Sequence, residues 1–123
     1  MKNERHKFGQ KSEIIAARYL KQKGYKIITQ NYRTKLGEID IIAKEKDTIV
    51  FVEVKARRSW RFGNPKGALT PKKQRKISMV ALCYLKANQQ TRAKARFDVV
   101  TIHNPNDTLE IEVVKNAFDL AYP

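Results

Sequence analysis

Two runs rich in β-branched and other apolar residues, EIDIIA at 38–43 and TIVFVEVKA at 48–56, are separated only by the polar KEKD. A short polar break between two such runs predicts a β-hairpin, and with it an antiparallel start to a sheet. The hairpin also carries acids where a buried strand is ordinarily apolar. With a turn centred between Lys46 and Asp47, Asp40 faces Glu53 and Glu38 faces Lys55 across the pair. Alternation puts Glu38, Asp40 and Ile42 on one face of the first strand, and Ile49, Phe51, Glu53 and Lys55 on one face of the second. A slip of one residue would undo the pairing.

Opposed carboxylates are destabilising unless something neutralises them. A divalent cation, Mg²⁺ or Mn²⁺, held at about 2.0 to 2.1 Å from carboxylate oxygens would do so. Lys55 stands beside Glu53 on the same strand face, where an ammonium can orient a water or stabilise charge developing on a scissile phosphate. The E-x-K spacing alone is common, and ordinary cross-strand ion pairs would also account for it. What strengthens the reading is the frame of Val50, Phe51, Val52 and Val54, which suits a central strand. An unpaired Glu there would cost roughly several kcal/mol.

The rest of the chain builds around this hairpin. Phe8, Ile15, Ala16, Ala17, Tyr19 and Leu20 fall on one arc of a helix expected from about Lys7 to Lys23, with Gly24 as its stop. Glu13 lies on that same inward arc. Taken by itself it also suits an edge carboxylate paired with a nearby cation. A strand is expected at Tyr25–Tyr32, before the hairpin. After a long loop, Thr70 and Pro71 read as an N-cap and first-turn pair, and Ile77, Val80, Ala81, Tyr84 and Leu85 follow at helical spacing. Phe97–Ile102 and Leu109–Val114 read as two further strands joined through a turn at Asn104–Asp107. The expected fold is α/β, in the order α-β-β-β-α-β-β, with a mixed central sheet flanked by helices.

At 123 residues and 41% hydrophobic content, the chain fits one domain over 1–123 with one core. Its 26 Lys plus Arg against 12 Asp plus Glu leave a net charge of +14, which calls for a polyanionic partner. Nucleic acid leads. A membrane is disfavoured, because no apolar run approaches ~20 residues and no basic helix carries bulky apolar residues opposite its charges. The N-terminal MKNERHKFGQKSE has charge but no apolar segment after it, so a secretory signal is not expected. A single cysteine, Cys83, excludes an internal disulfide and suits the cytoplasm. It reads as a small apolar helix residue, and His6 and His103 lack ligand spacing and read as structural or exposed.

GEIDIIA followed by IVFVEVKAR, with the helical Glu13 before it, resembles the PD-(D/E)xK nuclease superfamily, whose restriction-endonuclease-like core has a similar element order. More closely, the whole pattern resembles the YraN family of small bacterial proteins, similar in turn to archaeal Holliday junction resolvases. The resemblance implies Glu13, Asp40 and Glu53 as metal ligands or their support, with Mg²⁺ or Mn²⁺ as cofactor, and Lys55 as the catalytic lysine. Ile39 stands where the superfamily motif has Pro, which leaves the acid in place. Gln74 resembles a glutamine that some members set beside the site, and equally suits a solvated helix end. A junction resolvase acts with two sites, so the resemblance also implies a homodimer, although no heptad supplies one.

The loop RRSWRFGNPKGAL interleaves Arg57, Arg58, Arg61 and Lys66 with Trp60 and Phe62, directly after the strand that carries Lys55. Its cations suit phosphates, and its aromatics suit either stacking on unpaired bases or burial in the core or a dimer interface. Lys72, Lys73, Arg75 and Lys76 crowd the start of the second helix, where the dipole disfavours cations unless an anion such as phosphate is present; a merely solvated face is the plain alternative. The functional expectation is a metal-dependent endonuclease that hydrolyses phosphodiester bonds of DNA ahead of RNA, in branched or single-stranded substrates. The alternatives are a catalytically inactive nucleic-acid-binding accessory protein, and an interaction module that works through the exposed loop.

Overall fold

The computed structural model describes residues 4–57, 69–103 and 108–120, and the side chains of all of these except 4–10 and 57. Helix α1 (Glu4–Gln22) is followed by strands β1 (Lys26–Thr34), β2 (Gly37–Glu45) and β3 (Thr48–Arg57), helix α2 (Pro71–Ala87), and strands β4 (Lys94–His103) and β5 (Glu110–Phe118). This is the α-β-β-β-α-β-β order expected from the sequence. Strand β5 runs on past Val114 because Phe118 stacks on Phe97 with ring centroids 4.6 Å apart. An aromatic contact across the sheet thus extends an edge strand beyond its last apolar alternation. Gly24, at φ 96, ends α1 as expected: Tyr25 N donates to Leu20 O at 2.9 Å across it, a close that an L side chain would strain.

The five strands form one sheet in the order β1-β2-β3-β4-β5. The pairs β1–β2, β2–β3 and β4–β5 are antiparallel, and β3–β4 is parallel. A parallel step needs a crossover, which α2 supplies. Strand β3 therefore lies at the centre of the sheet, as its apolar frame requires. Along it, Ile49 and Phe51 join the core beneath α2, whereas Val50 and Val52 join the core beneath α1. The two helices consequently cover opposite faces. Ala16 and Ala17 bring α1 close to Ile41, Val50 and Val100. On the other face, Tyr84 of α2 meets Tyr32 and Phe51 edge-on, at 5.3 and 5.9 Å. Among the described residues, no helix is long and apolar enough to cross a membrane.

A charged network that no motif announces ties β4 to its surroundings on the α1 face. Asp98 is fully buried; it accepts from Tyr25 Oη at 2.9 Å, from Arg96 Nε at 2.9 Å and from Asn116 N at 2.9 Å. Arg96 also reaches Glu45 at 2.6 Å, and Lys115 holds both oxygens of Glu45. The Arg96 contact holds the Glu45 carboxyl below its ordinary range, while burial and then the Asp98 charge push the Tyr25 phenol upward. Every carboxylate in the network has a cationic or hydrogen-bonding partner, the condition under which buried charge is tolerated.

Candidate metal and phosphodiester site

The hairpin register is the expected one. Ile41↔Val52, Ile42↔Phe51 and Ala43↔Val50 lead to Glu45↔Thr48, and Lys46 turns the chain at φ 55. The main-chain ladder runs as far as Ile41↔Val52, and just beyond it the Asp40 carboxylate takes over. Its Oδ2 accepts from Val54 N at 2.8 Å, so the acid sits where a backbone carbonyl would otherwise pair. Alternation breaks at the same place. Ile39 and Ile42 belong to the α2-side core, whereas Ile41 and Ala43 belong to the α1 side. Asn31, on the neighbouring strand, is at φ 54. The expectation that Glu38, Asp40 and Ile42 continue one regular face is corrected by this irregularity, which turns Asp40 toward both layers.

The consequence is a convergence of acids from three elements. Glu13 of α1, Glu38 and Asp40 of β2 each bring one carboxylate oxygen within 4.8 Å of the others. Glu53 of β3 joins them through a hydrogen bond shared with Asp40. Of the three acids singled out in the sequence, Asp40 thus stands next to Glu13 on one side and to Glu53 on the other. Glu38, expected to face Lys55, turns instead into the cluster. With its amide nitrogen toward the acids, Asn31 donates to Glu13 Oε1 and Glu38 Oε1, each at 2.9 Å, and Arg33 Nε binds Glu38 at 3.1 Å. Glu38 was within reach of sequence reasoning, since it stands two residues before Asp40. Asn31 carried no such signal.

Crowding shows in the electrostatics. Burial, then the charges of Asp40 and Glu38, raise the Glu13 carboxyl above its ordinary range. Glu53 is pushed up to about 8, first by burial and then by the Asp40 charge and hydrogen bond, with Lys73 opposing. Burial and the neighbouring Asp40 charge thus disfavour the ionised form of Glu53. The donors are all oxygens, three elements supply them, and the acids resist simultaneous ionisation. This set fits a hard divalent cation such as Mg²⁺ or Mn²⁺, which Asp40, Glu53, Glu13 and Glu38 would hold.

A pH effect on stability follows. Between the ordinary value of 4.5 and about 8, native Glu53 keeps a proton that the unfolded chain has released. The stabilisation is complete below that window and is lost as pH rises through it. Without metal, the denaturation midpoint should fall from about pH 5 to about pH 8, and Glu53→Gln should flatten the fall. Superimposable profiles for the two proteins would show that the proton is elsewhere.

Of the four acids Glu53 alone lines an open depression of about 370 Å³, together with Lys55, Leu69, Thr70 and Lys73. Lys55 is half-buried there, next to Glu53. Helix α2 enters it N-terminus first: Thr70 Oγ1 accepts from Lys73 N at 3.1 Å, with Pro71 following, the cap expected from the sequence. Lys72, Arg75 and Lys76 are exposed on the first turns. Lys73, read with its neighbours as a phosphate contact or a solvated side chain, pairs with Glu53 at 3.4 Å. Gln74 donates from Nε2 to Leu69 O at 2.9 Å, so it ties down the loop end and is not a solvated side chain. The side chain of Arg57, and Arg58, Trp60, Arg61 and Lys66, lie outside the described residues. Cys83 is only half-buried on α2, and His103 lies 3.9 Å from Glu110 across β4–β5, away from the acids.

The model of the uncharacterised protein family UPF0102, the YraN family, matches residues 12–102. A UPF0102 protein of Desulfosudis oleivorans is 50% identical over 119 residues, covering 97% of this chain and 95% of that relative. One from Syntrophus aciditrophicus is 50% identical over 114 residues, covering 93% and 90%. The structure of Pyrococcus furiosus SfsA in complex with Ca²⁺ is more distantly similar, at 13% identity and TM-score 0.39 over 85% of this chain. The chain spans 58% of that structure's length.

Proposed function

The chain belongs to the uncharacterised protein family UPF0102, and within that family we propose for it the divalent-cation-dependent hydrolysis of phosphodiester bonds in nucleic acid, DNA ahead of RNA. The observation that carries this reading is the convergence of Glu13, Glu38, Asp40 and Glu53 beside Lys55 and a cationic helix start. Mg²⁺ or Mn²⁺ bound by these acids would polarise the scissile phosphate and acidify a water. The protein's own groups do the rest. Val54 N donates to Asp40 Oδ2 and so orients that carboxyl. Glu53 would hold the cation in its ionised form, so cation affinity should rise with pH up to about 8. The Lys55 ammonium stabilises charge on the phosphate oxygens as the bond breaks. Lys72, Arg75 and Lys76 hold the strand by its phosphates without reading bases.

Two measurements test the cation site and the phosphate grip. Mn²⁺ should raise the melting temperature of the wild type, and Asp40→Asn should raise the stability of the metal-free protein while abolishing the response to metal. No shift with Mn²⁺, and no change on substitution, would make the cluster an ordinary set of surface acids. Oligonucleotide affinity should fall with salt at a logarithmic slope of about −3 or steeper, since four or more cations contact phosphate. A flat dependence would favour an interaction module over a nucleic-acid enzyme.

A further inference from the structure

We propose that Lys73 is an internal stand-in for the cation: it holds Glu53 at 3.4 Å in the metal-free protein, yields it when metal binds, and turns to a substrate phosphate. Metal and nucleic acid then bind with positive coupling through one side chain. The proposal rests on the cation-dependent reading of the acid cluster given above.

Its basis is the asymmetry of one ion pair. Glu53 is deeply set, with a side chain only 12% exposed, whereas Lys73 reaches it from the rim with 48% of its side chain still open to solvent. The carboxylate is therefore fixed by the sheet, and the ammonium sits on a flexible four-carbon stem that can leave it. Both residues line the same open depression with Lys55 and Thr70, so the movement needs no rearrangement of the backbone. A divalent cation on Glu53 would repel the ammonium at this range. No acidic residue stands in the first turn of α2, so the released Lys73 has no carboxylate on its own turn to accept it. A phosphate entering the depression supplies the missing negative charge. By linkage, whatever phosphate gains by drawing Lys73 away, the cation gains on Glu53.

The test uses the full chain as wild type, Lys73→Met and Lys73→Arg, with thermal melts confirming that each is folded. Titration with Mn²⁺ alone should give about threefold or tighter binding for Lys73→Met, because its competitor is gone, and wild-type binding for Lys73→Arg. A phosphorothioate oligonucleotide, measured with and without Mn²⁺ at constant ionic strength, should bind the wild type more tightly when metal is present. The same gain should be about threefold smaller for Lys73→Met. Unchanged or weaker Mn²⁺ binding by Lys73→Met overturns the proposal and leaves the cation site standing. If neither the wild type nor Lys73→Met binds Mn²⁺, the reading of the acid cluster fails and the proposal fails with it.

Discussion

Lys55→Ala is expected to slow single-turnover cleavage with Mg²⁺ or Mn²⁺ roughly hundredfold or more, while the chain keeps its fold and most of its affinity for nucleic acid. Lys55 is half-buried beside Glu53 in the depression where a phosphate would lie. A protonated lysine ligates no metal, so its contribution belongs to the transition state. Affinity should barely move, because one cation of 26 is removed from a chain of net charge +14. Binding and turnover then separate in a single variant. Equal rates for wild type and Lys55→Ala, including equally absent ones, would remove the catalytic role and leave a binding protein.

Arg96→Met is expected to cost about 3 to 5 kcal/mol of folding stability, read from denaturant midpoints. Asp98 has no solvent exposure, and Arg96 contacts both of its oxygens while also binding Glu45 at 2.6 Å. Without the guanidinium, Asp98 would retain, among the described residues, Tyr25 Oη and Asn116 N. A buried carboxylate would be left without its countercharge. The double replacement Arg96→Met with Asp98→Leu should recover part of the loss, since it removes the uncompensated carboxylate, although Tyr25 Oη and Asn116 N then lose their acceptor. A loss below about 1 kcal/mol for Arg96→Met would mean that water or Lys115 readily replaces it.

The hairpin was legible because a polar break between two β-branched runs fixes both turn and register, and Ile41↔Val52 falls where that turn puts it. Apolar periodicity likewise located both helices and their inner faces. What strict alternation could not deliver is the irregularity at Asp40. Whether an acid's side chain replaces a backbone carbonyl depends on how neighbouring strands twist, as the φ of 54 at Asn31 illustrates. That single departure brings Glu38 into the acid cluster. The Asp98 network was invisible for another reason. Apart from Arg96 and Asp98 on one strand, its members, Tyr25, Glu45 and Lys115, are far apart in the chain and of commonplace types, so only the assembled sheet brings them together. Lys73 was read as one cation among several, because sequence spacing says nothing about which lysine of a helix start reaches a carboxylate on a strand.

The most direct test of the central claim is cleavage of linear, single-stranded and branched DNA by wild type and Asp40→Asn from identical preparations, with Mn²⁺, with Mg²⁺ and with chelator. Asp40 touches both the Glu13–Glu38 group and Glu53. Its loss should therefore abolish turnover without unfolding the chain. The account predicts metal-dependent cleavage of at least one substrate by the wild type and none by Asp40→Asn. Cleavage that persists in Asp40→Asn or in chelator, or no cleavage of any substrate by the wild type, would contradict it.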